Sequence, residues 1–76
     1  MAYMMSDRRL KRNIERITDH PLGIGVYSFE YLDGRPAVGV MADEVEKIRP
    51  RAVITDSQGY KFVNYKMLAN SQPFMV

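Results

Sequence analysis

The sequence predicts an α+β fold: a small antiparallel sheet of two hairpins, with one or two short helices. Three observations point there. Two strand-like stretches, "VYSFEYLDGRPAVGVM" and "AVITDSQGYKFVNY", each carry a glycine-containing turn in the middle. Between them lies "ADEVEKI", which has the charge order and spacing of a short helix. The chain has 76 residues, enough for one domain with a core near the lower size limit.

The first segment reads as a helix. Leu10, Ile14 and Ile17 recur at i, i+4 and i+7, and Ser6 or Asp7 is available as its N-cap. Asn13 and Thr18 are weak helix formers, so an irregular segment is the alternative. Thr18-Asp19-His20-Pro21 ends it, because the residue before a proline is pushed out of helical backbone. From Val26 to Leu32, Tyr27, Phe29 and Tyr31 alternate with Ser28 and Glu30, as on a half-buried strand with its aromatic face inward. Asp33-Gly34-Arg35-Pro36 is a turn, and Ala37 to Met41 returns as a second strand. Ala42 to Ile48 follows as a helix, with its acids early and Lys47 late, in keeping with the helix dipole. Pro50 stops it. Ala52 to Thr55 and Tyr60 to Tyr65 flank Asp56-Ser57-Gln58-Gly59 as a second hairpin. The tail from Met67 to Val76 shows no period, and Pro73 argues against a long helix there.

Composition narrows the chemistry. The chain has no cysteine, hence no disulfide frame and no thiolate nucleophile or ligand. His20 is the one histidine, too few for a structural zinc site, and no metal or cofactor is expected. No apolar run is long enough to span a bilayer as a helix, and no membrane partner is expected. The net charge of +2 hides an asymmetry: Arg8, Arg9, Lys11, Arg12 and Arg16 crowd the first segment, while Asp43, Glu44 and Glu46 cluster later.

Three stretches in order resemble a known family. "SDRRLKRNI" is similar to its opening signature, "VGVMADEVEKIRPRAV" to its central strand-to-helix signature, and "GYKFVNYKML" to its closing signature. The family is the intramolecular chaperone and auto-processing domain at the C-terminus of phage tailspikes and tail fibres, named after endosialidase. The resemblance runs from Ser6 to Leu68 and implies residues 1–5 as an upstream remnant, 6–68 as the domain and 69–76 as a tail. It implies a homotrimer that helps an upstream fibrous β-domain fold in register, in the bacterial host cytoplasm during assembly, with the parent protein ending in the virion tail. It further implies self-cleavage of the Met5–Ser6 bond, with Ser6 as nucleophile, Lys11 as base, and Asp7 and Arg9 in support.

That chemistry is coherent on elementary grounds. A serine hydroxyl needs a neighbouring base. A lysine serves as one when burial or nearby positive charge lowers its pKa. Residues five apart are about 140° apart on a helix and on opposite faces of a strand. A Ser6–Lys11 pair therefore requires a turn or bulge inside the motif. Backbone N–H groups are the default donors to an oxyanion.

Plainer readings stand beside these. Ser6 and Asp7 suit a helix cap, Lys11 a solvated surface, and Asp7 an ion pair with an arginine. The acidic cluster suits a solvated helix face rather than a cation site, and His20 a loop. Two further functions remain open: a trimerisation or interaction cap of the same fold that does not cut, and a small basic regulator that binds nucleic acid. The arginines carry no interleaved aromatics, which disfavours the last.

Overall fold

The computed structural model describes residues 3–69. Its strands are β1 (Tyr3–Met5), β2 (Lys11–Asp19), β3 (Gly25–Tyr31), β4 (Pro36–Gly39), β5 (Val53–Thr55) and β6 (Lys61–Asn64). The helices are α1 (Ala42–Ile48) and α2 (Tyr65–Ala69), with 3-10 turns at Arg8–Leu10 and Pro50–Ala52. The fold is α+β, as the sequence predicts, but the two expected hairpins lie in separate sheets. Each sheet is three-stranded and antiparallel, in the orders β2-β3-β4 and β1-β6-β5. Residues upstream of the hairpins supply the third strand of each.

The helix expected over the first segment is a strand. β2 pairs with β3 along its length, from Lys11 opposite Tyr31 to Asp19 opposite Gly25. Its register shifts between Arg12 and Glu15 and again between Arg16 and Thr18, and Asn13 takes a positive φ of 54°. Each bulge adds a residue and changes which face the following side chains meet. Apolar residues on such a strand need not recur every second position, and here they fall at helix-like intervals. Ile14 packs against the cluster of Tyr27, Phe29 and Met41, whereas Ile17 is 52% exposed.

The remaining elements follow their local chemistry. Gly34 closes the β3–β4 turn at φ 92°, and the Asp33 carboxylate accepts from the Arg35 N–H at 3.1 Å. Gly59 closes the β5–β6 turn at φ 87°, where Asp56 Oδ1 accepts from the Gln58 and Tyr60 N–H groups, both at 2.9 Å. α1 ends near Pro50, which opens the following 3-10 turn. α2 is a single short helix after β6. The expected tail beyond Ala69, including Pro73, lies outside the described residues.

Two apolar clusters hold the sheets together. One contains Ile24, Val40, Ala42, Val45, Ala52, Val63 and Leu68, and the other Tyr27, Phe29 and Met41. Val40, Met41 and Ala42 connect them. Met41 is extended, at φ −106° and ψ 128°, so its side chain and those of its neighbours face opposite ways. Val40 and Ala42 fill the first cluster and Met41 fills the second.

Candidate functional site

The site grows from the passage between β1 and β2. β1 leaves its sheet at Met5, the chain turns through Ser6 and Asp7, and the 3-10 turn delivers Lys11 as the first residue of β2. The motif thus contains the turn that a Ser6–Lys11 arrangement requires.

Asp7 fixes that turn. Its carboxylate accepts from the Arg9 N–H at 2.9 Å, capping the 3-10 turn, and from the Arg9 guanidinium at 2.9 and 2.8 Å. It also accepts from the Lys61 N–H at 3.0 Å, tying the turn to β6. The bond from Arg9, foremost, holds the Asp7 carboxyl well below the usual carboxylate range, against the opposing effect of burial. The guanidinium of Arg9 also donates to the Gly59 carbonyl at 2.6 Å and lies over the Tyr60 ring. Asp7 is therefore the cap, and its partner is an arginine.

Ser6 is fully buried, at 0% exposure. Its N–H donates to the Lys61 carbonyl at 3.1 Å, and its carbonyl accepts from the Ala42 N–H at 2.9 Å. Its Oγ donates to the Met4 carbonyl at 2.9 Å.

Lys11 is 6% exposed rather than solvated. Its Nζ donates to the Val40 carbonyl at 2.9 Å, lies 3.8 Å from Met41 Sδ and 4.1 Å from the centre of the Phe29 ring. Among the described residues no carboxylate forms a salt bridge with it. Burial in these surroundings, helped by the charge of Arg8, lowers its pKa to about 8. Roughly a tenth of the amine is then neutral at pH 7, against about one part in three thousand for a free lysine.

Ser6 and Lys11 meet the same short stretch of chain. The Val40 carbonyl and the Ala42 N–H lie two residues apart on extended backbone, so they point to one side. One receives Lys11 Nζ and the other holds the Ser6 carbonyl. The two side chains are not hydrogen-bonded to each other in this arrangement. Val40 is free for this role because it has left β4, its own N–H accepted by the Tyr65 hydroxyl at 2.8 Å. Around the Met5–Ser6 bond, the Tyr31 hydroxyl lies 3.3 Å from the Met5 carbonyl oxygen. The sequence reading missed both Tyr31 and the Val40–Ala42 stretch as parts of this site. The inward placement of Tyr31 on its strand was the only available signal.

The basic run is largely paired. Arg8 faces Asp43 and Glu44, Arg9 faces Asp7, Arg12 faces Glu30 and Arg16 faces Asp19. Among the described residues, every arginine of this run faces a carboxylate and Lys11 is buried. The acidic cluster is occupied too: Glu44 accepts from Tyr27 and from the Gly25 N–H, and Glu46 pairs with Lys61. Among the described residues no group of three acidic, histidine or cysteine side chains is placed to hold a metal. His20 accepts from the Leu22 N–H in its loop. No helix among the described residues is long and apolar enough to cross a membrane.

The sequence profile described as the chaperone of endosialidase matches residues 6–54, starting at the buried serine and reaching into β5. No curated protein and no solved structure matches the chain. The profile covers more than half of the 76 residues, and the chain belongs to the chaperone-of-endosialidase family.

Proposed function

We propose that this domain assists the trimeric folding and assembly of an upstream phage or prophage tail fibre or spike, and then releases itself by cutting the Met5–Ser6 bond. It acts in the host cytoplasm during assembly, on the protein to which it is joined. The observation that carries the cleavage reading is Lys11. A buried amine with no salt-bridging carboxylate among the described residues lowers stability, and a depressed pKa in a built site is the property of a general base.

In the reaction, neutral Lys11 takes the proton of Ser6 Oγ as Oγ bonds to the Met5 carbonyl carbon. The tetrahedral intermediate collapses, the bond from Met5 to the Ser6 nitrogen breaks, and Lys11 returns the proton to that nitrogen. The resulting Met5 ester on Ser6 is hydrolysed by water, giving a Met5 carboxylate and restoring the hydroxyl. The bond to be cut is held in place: β1 sets Met5 opposite Phe62, and the Ser6 N–H is fixed on Lys61.

A cap of the same fold that does not cut is the second reading. It is favoured by the bond from Ser6 Oγ to Met4 rather than to Lys11. Expression behind a long N-terminal tag, with Ser6→Ala alongside, separates the two. Cleavage that stops in Ser6→Ala while the domain stays folded supports self-cleavage; a Ser6→Ala chain still cut before residue 6 sinks the nucleophile assignment. Light scattering tests assembly in the same samples, since a trimeric mass is expected and a monomer at all concentrations contradicts it.

A further inference from the structure

The Met5–Ser6 peptide group is held at both ends. Its N–H donates to the Lys61 carbonyl at 3.1 Å, and its carbonyl oxygen lies 3.3 Å from the Tyr31 hydroxyl. Tyr31 is directly opposite Lys11 in the β2–β3 ladder. Residues so paired share a face; the phenol of Tyr31 reaches the Met5 carbonyl, while the amine of Lys11 lies over the neighbouring Phe29 ring and on the Val40 carbonyl. The Tyr31 ring is itself fixed, edge-on to Phe29 at 5.2 Å and under the Arg35 guanidinium at 5.0 Å.

We propose that Tyr31 is a catalytic residue of the cleavage, donating its hydroxyl proton in a hydrogen bond to the oxyanion that forms on the Met5 carbonyl oxygen. This rests on the reading of Ser6 as the nucleophile. As Ser6 Oγ bonds to the Met5 carbon, the carbonyl π pair moves onto oxygen, and negative charge grows where the Tyr31 hydroxyl points. Tyr31 keeps its proton throughout. When the intermediate collapses, the pair returns to the carbonyl and the Ser6 nitrogen leaves. The 3.3 Å separation is longer than the ~2.7–2.8 Å of a settled hydroxyl bond, which leaves room to shorten as charge develops. Burial raises the Tyr31 pKa, so the phenol remains a donor at the pH where Lys11 becomes a neutral base. A side-chain donor thus stands where backbone N–H groups were the default expectation.

Two measurements on Tyr31→Phe test this. The first is the rate of cleavage of the tagged chain between pH 7 and 9, followed by mass. Loss of an oxyanion donor lowers it about 10²-fold, without moving the pH midpoint set by Lys11. The second uses the uncut Ser6→Ala chain with 13C at the Met5 carbonyl. Tyr31→Phe shifts that resonance upfield as the hydrogen bond is lost. An unchanged rate, or a slowed rate with an unmoved Met5 resonance, overturns the role of Tyr31 alone. A parent chain that is never cut overturns the cleavage reading and the role with it, even where the resonance shifts.

Discussion

Replacing Lys11 with methionine, in a Ser6→Ala background so that no cleavage intervenes, tests the energetics of the site. The folded-state pKa of Lys11 is about 8, against an ordinary value of 10.5. Well below pH 8 both folded and unfolded chains carry the proton, and the cost of the buried charge does not change with pH. As pH rises through the folded value, the folded form sheds its proton while the unfolded form keeps it. Stability therefore increases with pH until the unfolded value is reached. Between pH 7 and pH 9.5 the gain is about 2 kcal/mol. Tyr27 and Tyr31, whose pKa values are raised, act in the opposite sense near pH 10 and above, so the series stops at 9.5. Urea melts by circular dichroism at both pH values, with the Lys11→Met chain beside the chain that keeps its lysine, cancel the other groups. At any single pH the comparison is mixed, because the substitution removes a buried amine but also orphans the Val40 carbonyl, at about 1–3 kcal/mol. The change with pH is free of that contribution. The chain with Lys11 gains about 2 kcal/mol relative to the Lys11→Met chain on going from pH 7 to 9.5. A difference between the two that stays constant refutes the depressed pKa and, with it, the reason to assign Lys11 as base.

Other substitutions probe the frame around the site. Asp7→Ala removes the cap of the 3-10 turn and strips the Lys61 N–H of its partner, for a combined loss of about 2–4 kcal/mol at pH 7 in urea melts. Because the folded Asp7 carboxyl lies below its ordinary value of 3.8, its stabilisation is present above that pH and fades as acid is added. The Asp7→Ala penalty measured at pH 7 therefore shrinks below pH 4, and a penalty independent of pH contradicts the bonding of the ionised Asp7 carboxylate to Arg9. Phe29→Ala empties a side-chain volume beside Tyr27 and Met41 and costs about 3–5 kcal/mol; a variant as stable as the parent contradicts the inward facing of β3.

Much of the fold is legible in the sequence because it rests on local chemistry. α1 falls on the residues expected of it, and the turns at Gly34 and Gly59 sit where an Asx side chain and positive φ meet. The aromatic alternation on β3 places Tyr27 and Phe29 in the core. The helix-like spacing of Leu10, Ile14 and Ile17 does not mark one buried face, since Leu10 lies in the 3-10 turn, Ile14 packs inward and Ile17 is exposed, and a residue such as Asn13 at positive φ leaves no apolar signal. β1 is hidden for another reason. It is three residues long and is defined by pairing with β6 at the far end of the chain, Tyr3 opposite Asn64. The site divides in the same way. Ser6, Asp7 and Lys11 can be singled out from their motif, but the burial of Lys11 depends on Val40, Met41 and Phe29, which are distant in sequence. The approach of Tyr31 to the Met5 carbonyl likewise exists only once β1 and β3 are brought together.

The most direct test of self-cleavage is the intact mass of the chain expressed behind a long N-terminal tag, with its own Met1–Met5 retained. A fragment that begins at Ser6, formed faster as pH rises toward about 8 and beyond, is the predicted result. A trimer that keeps its full mass at pH 9 contradicts the assignment of Ser6 and Lys11 as a cutting pair, and leaves the domain as an assembly cap.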